Sequence, residues 1–190
     1  MKSPRTVQVT VDTNLMNVEG WSGLGTATEG LPIALSVTTV NMREQGNSQP
    51  PEAIGVIKEG AVYGESQWGL AVYGGAVIPK AMVIGESQVG LSVVGGTGMF
   101  ETILKVITNG SFPPLGQRED LTHRQLTQLR DAMIFDAHVR TRGEIFVTND
   151  ASAFIGKGDR QRRILQQLGQ TRIMNMKEFS AYCKQLRGQS

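Results

Sequence analysis

The chain has 190 residues, of which 39% are apolar and 19% charged, and its formal net charge is +2. That length fits one domain, with or without an insertion, and that composition excludes wholesale disorder. So small a net charge names no partner, while a single cysteine, Cys183, excludes an internal disulfide and points to a reducing compartment.

From the start, "MKSPRTVQVTV" lacks the uninterrupted apolar core of a signal peptide, so a cytoplasmic setting is expected. Residues 7–12, "VQVTVD", alternate apolar and polar with β-branched side chains, which predicts a strand ending on an acid. A glycine-rich stretch runs from Gly20 to Gly30, with no element assigned to it. "LPIALSVTTVNMREQ" begins as a second apolar strand and finishes with a helix-compatible tail, and "NSQPPE" breaks the pattern.

Between residues 53 and 98 the texture changes. Glycine recurs every few positions and "GESQWGLAVYGG" (64–75) returns as "GESQVGLSVVGG" (85–96). Valine and tyrosine alternate with polar residues there, which predicts paired strands in a β-rich insertion. Two copies are too few for a solenoid. The expected role is a flap or assembly surface beside a binding site, with the twin acids Glu65 and Glu86 facing water. Pro79, Lys80 and the glycines exclude a membrane helix. "VVGGTGMFE" superficially looks like a dinucleotide loop but lacks the third glycine of that spacing.

"FETILKVI" predicts a helix. "LTHRQLTQLRDAMIFDAHVRTRG" predicts the best helix of the chain, with Leu126, Leu129, Met133, Ile134 and Val139 at three- and four-residue steps, Thr122 as its cap and Gly143 as its end. "EIFVTND" is a short buried strand that again ends on an acid. "RQRRILQQLG", stopped by Gly169, "TRIMNM" and "KEFSAYCKQL" complete a helix–strand–helix alternation. Such alternation predicts a parallel, Rossmann-like α/β sheet. We therefore expect a single domain, 1–190, carrying the 53–98 insertion.

Ligands of open α/β sheets bind beyond the carboxyl ends of the strands. Asp12 and Asp150 close two predicted strands, Glu44 follows another, and Asp131 lies in the best helix directly after Arg130. Carboxylates gathered at one mouth repel unless a cation lies between them. Hard divalent ions with oxygen ligands, Mg2+ or Mn2+, meet that need and suit displacement at phosphorus. Asp136 is five residues from Asp131, about 140° around the helix, and is expected on a solvated face. His138 is expected to be a satisfied structural or RNA-facing residue rather than a catalytic one.

"VTVDTN", "VNMRE", "LRDAMIFDAHV" and "IFVTND" resemble, in order, the four acidic motifs of the PIN domain. The resemblance covers about residues 6–45 and 100–182. It implies a three-layer α/β/α sandwich acting as a Mg2+- or Mn2+-dependent ribonuclease. On that resemblance Asp12, Glu44, Asp131 and Asp150 are the metal-binding catalytic acids, supported by Asn14, Thr148 and Asn149. A toxin paired with a protein antitoxin or inhibitor is one setting it implies, although the chain is longer than the usual compact toxin.

Arg140, Arg142, Lys157, Arg160, Arg162 and Arg163 flank the Asp150 motif and are the candidates for gripping a phosphate backbone. The plainer reading makes them a solvated helix face. Trp21, Trp68 and Tyr73 offer faces for stacking on unpaired bases, favouring single-stranded RNA, though core packing is the safer reading of each. The competing functions are a catalytically silent PIN-like RNA-binding or scaffold module and a structure-specific DNA nuclease. Homo-oligomer formation is left open.

Overall fold

In the computed structural model the described residues are 5–46, 50–51, 54–60, 92–93, 99–114, 117–118 and 120–188. Four strands follow the predicted runs: β1 (Val7–Val11), β2 (Ile33–Thr38), β6 (Ile145–Val147) and β7 (Arg172–Met174). β3 (Gly55–Ile57) joins them, giving one parallel sheet in the order β3-β2-β1-β6-β7. A two-residue pair, β4 (Glu59–Gly60) and β5 (Ser92–Val93), lies apart from it. The predicted insertion thus contributes its first few residues to the main sheet as the outer strand. The doubled segment itself, with Glu65, Trp68, Tyr73 and Glu86, and the glycine loop 94–98, lie outside the described residues.

Helices cover both faces, so the molecule is a three-layer α/β/α sandwich. One face carries α3 (Phe100–Ile107), α4 (His123–Arg140) and α5 (Arg160–Gly169), whose Ile103, Leu104, Met133, Phe135 and Leu165 pack with Phe146 and Ile173 of the sheet. The other carries α1 (Val18–Thr28) and α6 (Met176–Arg187), where Leu24, Phe179 and Cys183 meet Val9, Val11, Ile145 and Val147. Successive strand residues point to opposite layers, and both layers are apolar because a parallel sheet is buried on both sides. Among the described residues no helix is long and apolar enough to cross a membrane.

α1 occupies the glycine-rich stretch. Gly20, Gly23 and Gly25 weaken its helix signal, since each costs about 1 kcal/mol against alanine. Gly20 is nonetheless required, because a Cβ there would overlap the Leu15 carbonyl. Asn17 caps the helix by accepting from the Gly20 amide at 2.8 Å. Thr122 caps α4 in a capping box with Gln125, as its position predicts.

α4 ends at Arg140 rather than at Gly143, and α5 stops through Gln170 in the left-handed region rather than through Gly169. Gly143 serves instead as the floor beneath His138, where an added Cβ would run into the imidazole ring. Gly143→Ala is therefore expected to lower stability by about 1–3 kcal/mol, the usual cost of overpacking. Urea denaturation checks this; an unchanged midpoint would refute the packing account.

Every residue of α4 from Asp131 to His138 is buried, so this helix has no solvated face along that run. Asp136, expected in water, is buried. His138 is fully buried between β1 and the turn before β7, with Nδ1 at 2.8 Å from Thr10 Oγ1 and Nε2 at 2.7 Å from Thr171 Oγ1. Burial pushes its pKa down from 6.5 to about 3. It is a neutral structural residue. Trp21 is half-buried and packs on the α1–α6 side of the core.

Candidate active site

The sheet order reverses direction between β1 and β6: the chain moves outward from β1 to β2 and β3, then crosses to β6 and β7. Beyond the carboxyl ends of that central pair lies the crevice where α/β sheets bind ligands. Asp12 leaves β1 there, with its amide on the Val147 carbonyl at 3.0 Å. Thr148, Asn149 and Asp150 leave β6 beside it. Glu44 reaches the same place from the end of α2 (Thr39–Glu44), which follows β2 directly.

Asp12 is held by converging donors. The Thr13 amide donates to Oδ1 at 2.8 Å, and the Asn14 amide group and Thr148 hydroxyl each donate to Oδ2 at 2.6 Å. Asn14 also donates to Thr148 Oγ1 at 3.1 Å and accepts from the Asn149 amide at 3.0 Å. The Asn149 side chain turns away and accepts from the Met176 amide, fixing the start of α6. Asn14 and Thr148 thus support Asp12 directly, whereas Asn149 ties the crevice to the neighbouring helix.

Asp150 begins a single π turn, Ala151–Ile155. Its Oδ1 accepts from Ser152 N at 2.7 Å, Ser152 Oγ at 2.6 Å and Ala153 N at 2.9 Å. Asp150 therefore caps this turn. Glu44 is oriented by a relay that the sequence does not reveal. Asn41 donates from Nδ2 to Thr13 Oγ1 at 2.7 Å, and the Thr13 hydroxyl donates to Glu44 Oε2. Asn41 is itself fixed by accepting from Thr38 N and Oγ1, both at 2.7 Å. The only sequence signal is the Asn41–Glu44 spacing, which puts both on one helical face.

The four acids act on one another electrostatically. Burial raises the Asp12 pKa from 3.8 to about 7; Thr148 and Thr13 pull it down, and Glu44 and Asp150 push it further up. Asp131, also buried, is raised well above the ordinary range by desolvation and then by Asp12, Asp150 and Glu44, with Arg130 opposing. Mutual influence reaches further than shared coordination: among the described residues no three acidic, histidine or cysteine side chains are gathered at metal-ligand spacing.

The donor chemistry of the crevice, oxygen throughout, with two buried carboxylates disfavoured as anions by burial and by like charge, fits a hard divalent cation. Asp12, Glu44, Asp131 and Asp150 are its candidate ligands, and because no three of them stand at ligand spacing, binding an ion would have to draw them together. Thr13→Val removes the hydroxyl that joins Asn41 to Glu44, taking that bond from each of them. It is expected to weaken Mn2+ affinity about 10–100-fold and to cost about 1–3 kcal/mol of stability. Calorimetric titration of Mn2+ checks the first; wild-type affinity would show that the relay does not position Glu44.

The basic candidates divide. Arg162 is mostly buried, bonded to Glu178 at 2.8 Å and near Asp159 at 3.5 Å, so it is a structural ion pair instead of a phosphate grip. Arg142 lies in the turn before β6, with a φ of 56°, at the strand end opposite Asp150. The Arg140 guanidinium donates to the Lys58 carbonyl. Lys157, Arg160 and Arg163 are exposed on the 3-10 turn Lys157–Asp159 and the first turn of α5, shortly after Asp150. Arg163 also donates to the Gly158 carbonyl at 3.4 Å.

A comparison with known proteins leaves this geometry to stand alone: no family model matches the chain, and no curated protein matches it significantly.

Proposed function

We propose that the chain is a cytoplasmic, Mg2+- or Mn2+-dependent endoribonuclease of the PIN type. The observation that carries this reading is the mutual electrostatic effect of Asp12, Glu44, Asp131 and Asp150 at the switch point of a parallel sheet. A divalent ion bound there supplies Lewis-acid activation of a water and neutralises charge at phosphorus. The chain's own residues orient the carboxylates: Thr148, Asn14 and the Thr13 amide hold Asp12, the Asn41–Thr13 relay holds Glu44, and the turn at Ser152 and Ala153 holds Asp150. Buried Asp131 adds a carboxylate to the crevice from the helix side. Exposed Lys157, Arg160 and Arg163 lie on the side from which an RNA strand would approach.

A second reading is favoured by Asp150, whose Oδ1 already takes three donors in capping its turn. A carboxylate so engaged suits a PIN-like RNA-binding or scaffold module without turnover. Incubating the purified chain with labelled single-stranded RNA, and with DNA of the same sequence, in Mn2+ or EDTA separates the two. Cleavage of RNA in Mn2+ alone is expected. Binding without cleavage would establish the second reading, and preferential cutting of DNA would reassign the substrate.

A further inference from the structure

A cleft of about 250 Å³ opens from the acid crevice along the first half of α4. Asp131 and Asp150 stand at one end and Arg124 at the other, with Gln128 between them on the same helix face. Residues 124, 128 and 131 fall at i, i+4 and i+7, so the face that carries Asp131 inward carries Arg124 and Gln128 along the cleft. Arg124 and Asp131 are about 10 Å apart along the helix axis. The facing wall is Asn109, held in the left-handed region at φ 52° just beyond α3, while Ile107 and Ala153 give an apolar floor.

Two of the polar side chains lining this cleft, Arg124 and Gln128, are free to take a ligand. Among the described residues none bonds the Arg124 guanidinium or the Gln128 amide, although Gln128 is half-buried. The charge pattern is also specific: anionic at the crevice, cationic two helical turns away, with the neutral Gln128 amide between. A metal-binding end cannot hold a phosphate without its ion, but an arginine can, and it does so bidentately. An apolar floor with amides at its rim suits a sugar or base with polar edges. The volume, just below the roughly 300–1,000 Å³ of drug-sized pockets, admits one nucleotide unit.

We propose that this cleft seats the RNA nucleotide next to the scissile bond, with Arg124 on its phosphate and Gln128 on its polar edge. This assignment rests on the ribonuclease reading for the identity of the strand. Neither residue stands out in the sequence, because an arginine in a first helical turn looks like ordinary solvation.

The test uses the full chain with Ca2+, a labelled short single-stranded RNA, and fluorescence anisotropy at about 50 and about 200 mM KCl. Arg124→Ala is expected to weaken binding about tenfold and to flatten the salt slope by about 0.7, the value for one phosphate contact on a single strand. Gln128→Ala should weaken binding with the slope unchanged. Arg5→Ala removes the same charge ahead of β1, at the far end of the sheet, and should change neither. Unaltered affinity and slope in Arg124→Ala, or an equal loss in Arg5→Ala, would overturn the subsite.

Cleavage in Mn2+ is scored separately. A wild-type chain that binds in this Arg124-dependent way but never cuts keeps the subsite and removes the nuclease reading. One that cuts with the same KM in the presence and absence of Arg124 keeps the nuclease and removes the subsite. A wild-type chain that fails to bind RNA overturns both.

Discussion

Replacing Asp12 and Asp150 together with asparagine is expected to abolish Mn2+-dependent RNA cleavage, with a rate loss on the order of 10³-fold or more. Two anionic oxygens leave the crevice, and a loss of that size corresponds to about 4 kcal/mol of transition-state stabilisation. The fold should survive. At position 12 the asparagine oxygen can take the Oδ2 place and keep the Asn14 and Thr148 bonds, giving up only the Thr13 amide bond. At position 150 an asparagine oxygen still caps the turn through Ser152 and Ala153. Gel assays on the double variant, beside wild type in Mn2+ and in EDTA, decide the matter. Cleavage by the variant at the wild-type rate would sink the enzyme assignment.

The stability of the ion-free protein should also depend on Asp12 in a definite direction. Its carboxyl titrates near 3.8 when unfolded and near 7 when folded. A raised folded value gives stability that is complete below 3.8 and is lost as pH climbs toward 7. At about 1.36 kcal/mol per tenfold change, the loss approaches about 4 kcal/mol. His138 opposes it. Its pKa falls from 6.5 to about 3, so its contribution is complete above 6.5 and is lost on acidification. The two slopes largely offset each other in the wild type between about pH 4 and 6.5.

The comparison with Asp12→Asn reports Asp12 together with its effect on Asp131. The variant's stability relative to wild type, measured by urea denaturation in EDTA, should improve by up to about 4 kcal/mol from pH 4 to pH 8. Added Mn2+ should stabilise the wild type at pH 8 by mass action and leave the Asp12→Asn/Asp150→Asn protein unmoved. A relative stability that is flat with pH would mean that Asp12 is ionised at no cost. Asp131 pulls in the same direction as Asp12, and because the two carboxyls act on each other they titrate as a coupled set.

Parallel strands with buried faces write themselves plainly into sequence, and strand ends are where their ligands lie. The strand-end positions of Asp12 and Asp150 were legible for that reason, and α3, α6 and the Thr122 cap were legible from helical spacing and cap chemistry. α1 was not, because its glycines answer to close contacts such as Gly20 on Leu15 that only the tertiary structure supplies. Asp136 was misplaced because amphipathic spacing assumes one wet face, and this part of α4 has none. The Asn41–Thr13–Glu44 relay joins residues from a turn after β1 and from α2. Such a chain of short side chains leaves no periodic trace. Arg162 shows the converse: a run of charges looks uniform, yet Glu178 takes one member of it out of solvent.

The pairing of β1 with β6 has a consequence in time as well as in space. It joins Val9–Val11 to Ile145–Val147 at the centre of the sheet, and the bond from Thr148 to Asp12 spans 136 positions of the chain. Closing so long a loop costs entropy before any contact repays it. During synthesis Asp12 and Glu44 therefore emerge long before Thr148 and Asp150. A ribosome-bound chain that has not yet released β6 carries half a crevice, and the other half joins it only when the centre of the sheet closes.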